Sequence, residues 1–402
     1  MQESEERVEE DPFAHAVWIQ IHKKAEKFVH QLGEAIDEAE WYLEEILKQA
    51  RKDVEKIKTG TDRDYKIAVV DSTFTPMCID TYVARISAVV YGYLIYPSSQ
   101  MPEISAQIID LKGYSEGKDV DESISKAATM IEVRTILALL MKLGKGEVNF
   151  NTLVRDGDFP PTEAIFGHPK SRYIRDVRDL SNKILEKASE KNVGVAGLIK
   201  RISSSLITFK YMGDEVFSKA RELESLEKAS SKFFRGFFTD AFIARLLLKP
   251  GEYIYIGRYG DEVNGERFIS SYFSVVLGKK RKLKVLDEYP IFSRVEVAYY
   301  RAHNPAAPIV KVLSFNLDPE DFIAYCASRS FKSYPSFLDL IDTAVLEYAK
   351  RVNLESLLYL ALQKAARERL ANRRINGKNV SFALSALNRQ KINILLSWLR
   401  GE

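Results

Sequence analysis

Two kinds of hydrophobic pattern alternate along this chain. Short apolar runs rich in β-branched residues predict strands, and longer stretches with apolar residues every three or four positions predict amphipathic helices. From about Asp11 to Lys58 the second pattern is continuous. Trp18, Ile21, Ala25, Phe28, Val29, Leu32, Ile36, Leu43 and Ile46 are spaced by Glu, Lys, Asp and Gln. This predicts one long helix, or two broken at Gly33, and a helix lying outside the core would offer a dimer or partner surface. After a polar linker at Gly60–Asp64, the run from Lys66 to Asp71 reads as a buried central strand ending in a carboxylate. Strands follow at Tyr82–Tyr96 and Ile104–Leu111. A helix spans Asp119–Leu143, with Ile124, Ala127, Ala128, Ile131, Thr135, Leu139 and Leu140 as its apolar stripe. Next come a strand at Val148–Val154 leading into Arg155-Asp156-Gly157, a helical region from Pro160 to Lys191, and a short strand at Asn192–Ala196.

The second half predicts a helix opening at Thr239-Asp240 and strands at Glu252–Arg258, Arg267–Leu277, Val295–Arg301 and Pro308–Phe315. Asp318-Pro319 signals another helix start, since proline fits a first helical turn. Further helices are expected after Tyr334-Pro335 and over 354–370 and 381–400. The pattern as a whole is α/β: a mixed central sheet flanked by helices. The organisation expected is an N-terminal helical segment over 1–60, a core over 61–350 and C-terminal helices over 351–402.

Composition narrows the function classes modestly. The chain has 402 residues, 46% hydrophobic and 29% charged, which describes a globular rather than a disordered protein. A net charge of +3 neither demands nor excludes nucleic acid, so local clusters matter more. Two cysteines, Cys78 and Cys326, exclude a disulfide framework and fit a reducing interior. The acidic N-terminus lacks a signal-peptide pattern, and no apolar run reaches membrane-span length, so a cytoplasmic location without membrane contact is expected. Abundant Lys, Arg and Glu lean towards a thermophilic source.

The candidate chemistry lies in three acids far apart in the sequence. Asp71 and Asp156 end strands, and Glu132 sits on a helix beside the buried stripe. Carboxylates converging from such positions bind hard divalent cations, Mn²⁺ or Mg²⁺, and two such ions cleave phosphodiesters. Lys200, Arg201, Lys210 and the run from Lys279, Lys280 and Arg281 to Lys284 are the candidate DNA contacts. Phe233, Phe234 and Phe237 could stack on bases, although core packing is the stronger reading.

In their order, these motifs resemble the archaeal NurA nuclease family. The residues carrying the resemblance are Val70-Asp71-Ser72, Ile131-Glu132, Asp156-Gly157 and Gly194-Val195-Ala196 with Lys200. Thr239-Asp240 through Leu248, Gly251-Glu252, and Ser333-Tyr334-Pro335 before a helix complete the series. The resemblance implies an RNase H-like core, a manganese- or magnesium-dependent nuclease and 5′-to-3′ degradation of DNA ends, with single-strand endonuclease action as a further expectation. It also implies homodimerisation and partnership with the hexameric translocase HerA in end resection for double-strand-break repair. By the same resemblance Asp71, Glu132 and Asp156 are the metal ligands, Lys200 a catalytic cation and Lys311, where the family tends to have Arg, a phosphate contact. Two departures stand out. Ser72 follows Asp71 directly where the family reads Asp-Gly-Ser. Asp342 occupies the place of the family's functional His, with His303 the nearest alternative imidazole. An alternative expectation is therefore a non-catalytic paralogue that binds DNA or the translocase.

Overall fold

The structure is a computed structural model. It describes residues 12–61, 63–74, 79–80, 85–99, 101–110, 120–213, 215–219, 222, 236–263, 266–276, 283–330, 334–351, 374–375 and 378–379. In chain order these form helix α1 (Pro12–Ala50) and strands β1 (Val54–Lys56), β2 (Ile67–Phe74), β3 (Ile79–Asp80), β4 (Arg85–Tyr96) and β5 (Glu103–Asp110). Then come α2 (Val120–Gly144), β6 (Thr152–Asp156), α3 (Thr162–Phe166), α4 (Arg172–Glu190) and β7 (Gly194–Ile199). The main elements of the remainder are α5 (Leu206–Met212), α6 (Asp240–Leu247), β8 (Glu252–Arg258), α7 (Phe268–Val276), β9 (Glu296–Arg301), β10 (Ile309–Phe315), α8 (Pro319–Ser328) and α9 (Ser336–Arg351). None of the described helices is long and apolar enough to cross a membrane. The chain divides into two compact units, one of Met1–Thr59 with Ile199–Val312, the other of Gly60–Leu198 with Leu313–Glu402.

The second unit carries the RNase H-like arrangement. β2 pairs antiparallel with β4, and β4 antiparallel with β5, while on its other edge β2 pairs parallel with β6, and β6 parallel with β7. The resulting order, β5-β4-β2-β6-β7, is a three-stranded meander extended by two parallel strands. Parallel neighbours need crossovers, and α2 and then α3 with α4 supply them. Because it lies mid-sheet, β2 is apolar on both faces, with Ile67 to Val70 all fully buried. Helix α2 is buried nearly all round, through Ile124, Ala127, Met130, Ile131, Val133, Ile136 and Leu139, because it packs on both the sheet and α4. Helix α9 covers β2 and β4. The Asp318 carboxylate caps α8 by accepting from the backbone N–H groups of Glu320 (2.9 Å) and Asp321 (3.2 Å), and Pro319 begins the helix as its sequence signalled.

In the first unit β8 pairs antiparallel with β1 and β9. Helix α1 is unbroken at Gly33. Its periodic stripe is only partly used: Ala39, Leu43, Ile46 and Ala50 are buried, whereas Trp18, Ile21 and Val29 are exposed.

The strand expected at Arg267–Leu277 is instead helix α7. Phe268, Ile269, Tyr272 and Phe273 are its buried side chains, a one-four-five spacing that is a helical face hidden in a β-branched, aromatic run. The single helical region after Pro160 is two helices, α3 and α4, and the strand after Gly146 begins only at Thr152. The helices expected over 354–370 and 381–400 lie outside the described residues.

Candidate active site

Four successive buried residues lead β2 to Asp71, which is itself only 7% exposed. β2 and β6 are in parallel register up to Val70 opposite Arg155. One further step sets Asp71 beside Asp156, and residues level on adjacent strands share a face. Across the antiparallel pair Asp71 faces Gly92. A side chain at Gly92 has no room: its Cβ would lie 2.5 Å from Ile104 Cδ1, 2.7 Å from the Glu103 carbonyl oxygen and 3.4 Å from Ile341 Cδ1. This is the face covered by α9, where Ile341 is buried and the next residue, Asp342, is exposed.

The acids influence one another. Burial, followed by the negative charges of Asp156, Glu132 and Asp342, pushes the Asp71 carboxyl up to about 8. The Ser72 backbone N–H, donating to Asp71 Oδ1 at 2.7 Å, pulls in the opposite direction. Sequence-distant carboxylates from two strands and two helices therefore gather at one end of the sheet.

Glu132 arrives from the other face. Ser72 and Arg155 alternate with Asp71 and Asp156 and so point towards α2. The Ser72 hydroxyl donates to Glu132 Oε1, while Arg155 donates to Oε2 through Nε at 2.6 Å and pairs with it through Nη2 at 2.6 Å. Burial works against the Arg155 charge, but Glu132 and then Asp158 hold it firmly protonated. Its Nη1 also donates to the Asp158 carbonyl at 2.5 Å. Both Glu132 oxygens are thus committed. Among the described residues no three His, Cys, Asp or Glu side chains stand together as a finished metal cage. Neither Ser72 nor Arg155 was assigned a role in holding Glu132 from the sequence. An arginine in the otherwise apolar run Thr152-Leu153-Val154 was the available signal, since a buried cation requires a partner.

The expected basic residues are distributed differently. Lys200 and Arg201 follow β7 directly and belong to the first unit. Lys210 is committed within that unit, to Asp53 at 3.4 Å and to the Tyr255 carbonyl at 3.1 Å. Lys311 is buried and donates to Ser204 Oγ at 2.9 Å. Ser204 in turn donates to Asp240, a fully buried carboxylate that also accepts from Tyr299 Oη and from the N–H groups of Leu206 (2.9 Å) and Ile207 (2.8 Å). Asp240 and Lys311 therefore shape the serine-rich loop that follows Arg201. His303 packs over Gly251 in a turn of the first unit. Phe237 is a core residue in edge contact with Phe242. Lys279, Lys280, Arg281, Phe233 and Phe234 lie outside the described residues.

No family model and no curated protein matches this sequence. Among solved structures, the chain is similar to the NurA nuclease from Sulfolobus solfataricus, at 14% identity over 86% of this chain and 98% of that one, with a TM-score of 0.52. A second NurA structure aligns at 10% identity over 86% and 99% of the two chains (TM-score 0.43). A Ciona intestinalis endonuclease V in complex with DNA aligns at 11% over 78% and 98% (TM-score 0.32). The first of these similarities establishes a shared fold.

Proposed function

We propose that this chain is a divalent-metal-dependent DNA nuclease. The observation carrying the reading is the gathering of Asp71, Asp156, Glu132 and Asp342, strong enough to push the buried Asp71 carboxyl up to about 8. Fixed acids that repel one another are stabilised by a cation. The donor set fits Mn²⁺ or Mg²⁺, hard ions held by one or two carboxylates together with water and substrate phosphate. Asp71 and Asp156 hold the cation, with Asp342 next to them where the NurA-like motif has a histidine. When bound, the cation supplies Lewis-acid chemistry to phosphodiester hydrolysis. The remaining tasks fall to the chain itself. Arg155 and Ser72 fix the Glu132 carboxylate in one orientation. Ser72 N–H orients Asp71, and burial excludes water from its apolar side. Lys200, as a cation on the loop after β7, meets DNA phosphate.

The biological setting we propose is 5′-to-3′ degradation of DNA ends by a homodimer working with a HerA-type hexameric translocase. It is supported by the ordered motifs and by the fold shared with the Sulfolobus solfataricus NurA nuclease.

One observation favours a second reading. Glu132 is already neutralised by Arg155, as suits a non-catalytic paralogue that keeps the fold and binds DNA. Incubating end-labelled duplex DNA with Mn²⁺, Mg²⁺ or EDTA separates the two. The nuclease reading expects cleavage with either metal, none in EDTA, and loss of cleavage in Asp71→Ala and Asp156→Ala. DNA binding without cleavage under either metal would establish the paralogue instead.

A further inference from the structure

On the α2 face of the second unit's sheet, a groove of about 330 Å³ opens between α2 and the outer strands β4 and β5. Nothing in the proposed chemistry uses it. Tyr91 and Tyr93 stand two residues apart on β4 and share a face. Arg134 and Lys142 come from one side of α2, about two turns apart, and Glu103 and Gln107 from β5. The groove begins next to Glu132: Tyr91 is the register partner of Ser72, whose hydroxyl donates to that carboxylate. It then runs along α2 away from it, towards Lys142.

Its charges are not equivalent. Lys142 Nζ donates to Tyr93 Oη at 3.1 Å and sits 5.2 Å above that ring, and the same hydroxyl is engaged by Glu103. Lysine, tyrosine and glutamate thus satisfy one another. Arg134 is exposed and makes no hydrogen bond or ion pair among the described residues. What remains on offer is one uncommitted guanidinium in a groove lined by two half-buried tyrosines, with an amide at the edge.

We propose that this groove binds one or two nucleotides of single-stranded nucleic acid, Arg134 taking a phosphate and Tyr91 and Tyr93 receiving the bases. Guanidinium with aromatic rings is the chemistry that recognises unpaired nucleotides without reading their sequence. A duplex keeps its bases stacked inward and cannot present them to tyrosines lying on a sheet beneath a helix. The choice of a nucleotide as the ligand rests on the nuclease reading. Binding and cleavage are nevertheless measured separately.

The test is fluorescence anisotropy of labelled oligo(dT) and of a labelled blunt duplex, with full-length protein in EDTA, comparing wild type with Arg134→Glu, Arg134→Lys and Tyr93→Ala. Arg134→Glu is expected to weaken oligo(dT) binding about five- to tenfold, with a shallower dependence on salt, and duplex binding less than about twofold. Arg134→Lys restores most of the affinity, and Tyr93→Ala weakens oligo(dT) binding by a similar factor. Arg134 is exposed, so the far-UV spectrum and melting temperature of its variants should match wild type. Oligo(dT) affinity within about twofold of wild type in both Arg134→Glu and Tyr93→Ala would overturn the proposal. If wild type fails to cut DNA while Arg134→Glu still loses oligo(dT), the nuclease reading fails and the groove stands.

Discussion

Replacing Asp71 by Asn should stabilise the metal-free protein while abolishing its chemistry. The unfolded chain releases this proton at about 3.8, and the folded chain retains it to about 8. Between those values the native state binds more protons, so this carboxyl's contribution is fully present below about pH 4 and is lost as pH rises to about 8. At about 1.4 kcal/mol per tenfold, the span sets a ceiling of about 6 kcal/mol for the cost of ionised Asp71. Asp156 is half-buried and Asp342 exposed, so part of the repulsion is relieved by water and side-chain movement. A gain of about 2–4 kcal/mol for Asp71→Asn above pH 8 is therefore expected, shrinking towards zero near pH 4. Urea unfolding in EDTA at the two pH values measures it. Mn²⁺ at the higher pH should raise the unfolding midpoint of wild type and leave that of the variant almost unchanged. An Asp71→Asn protein no more stable than wild type at the higher pH would refute the claim that crowded, buried negative charge defines this site.

Other variants probe the surroundings. Arg155→Ala leaves the Glu132 carboxylate buried without its cation and should cost about 3–5 kcal/mol in urea unfolding, with Arg155→Lys intermediate because it keeps charge but loses the two-nitrogen grip. Gly92→Ala drives a methyl into the Glu103 backbone oxygen and should cost about 1–3 kcal/mol, read as a lowered melting temperature. Asp240→Ala strands two backbone N–H groups and two hydroxyls. A loss of about 3 kcal/mol or more is expected, together with faster amide exchange at Leu206 and Ile207.

The acids were legible because each ends or interrupts an apolar run: Asp71 after four buried residues, Asp156 before a glycine, Glu132 inside a buried stripe. Adjacent parallel strands then bring the two aspartates level, a consequence of register that spacing alone does not reveal. The Arg155–Glu132 pair was missed because a sequence reading treats acids as ligands before asking what neutralises them. Period misled at α7, where four aromatic and β-branched residues look like a strand until their one-four-five spacing is counted. It also overstated burial along α1, since an apolar stripe states what a helix could cover, not what covers it. The aromatic groove was invisible in the sequence because Tyr91, Tyr93, Arg134 and Lys142 meet only through the packing of α2 on β4.

The claim on which the rest depends is that Asp71 and Asp156 jointly hold a divalent cation. Anomalous diffraction from crystals soaked in Mn²⁺ tests it most directly. The account predicts a peak within about 2.5 Å of carboxylate oxygens of both residues, lost in Asp71→Asn. Well-ordered crystals at saturating Mn²⁺ with no peak at either aspartate would contradict it.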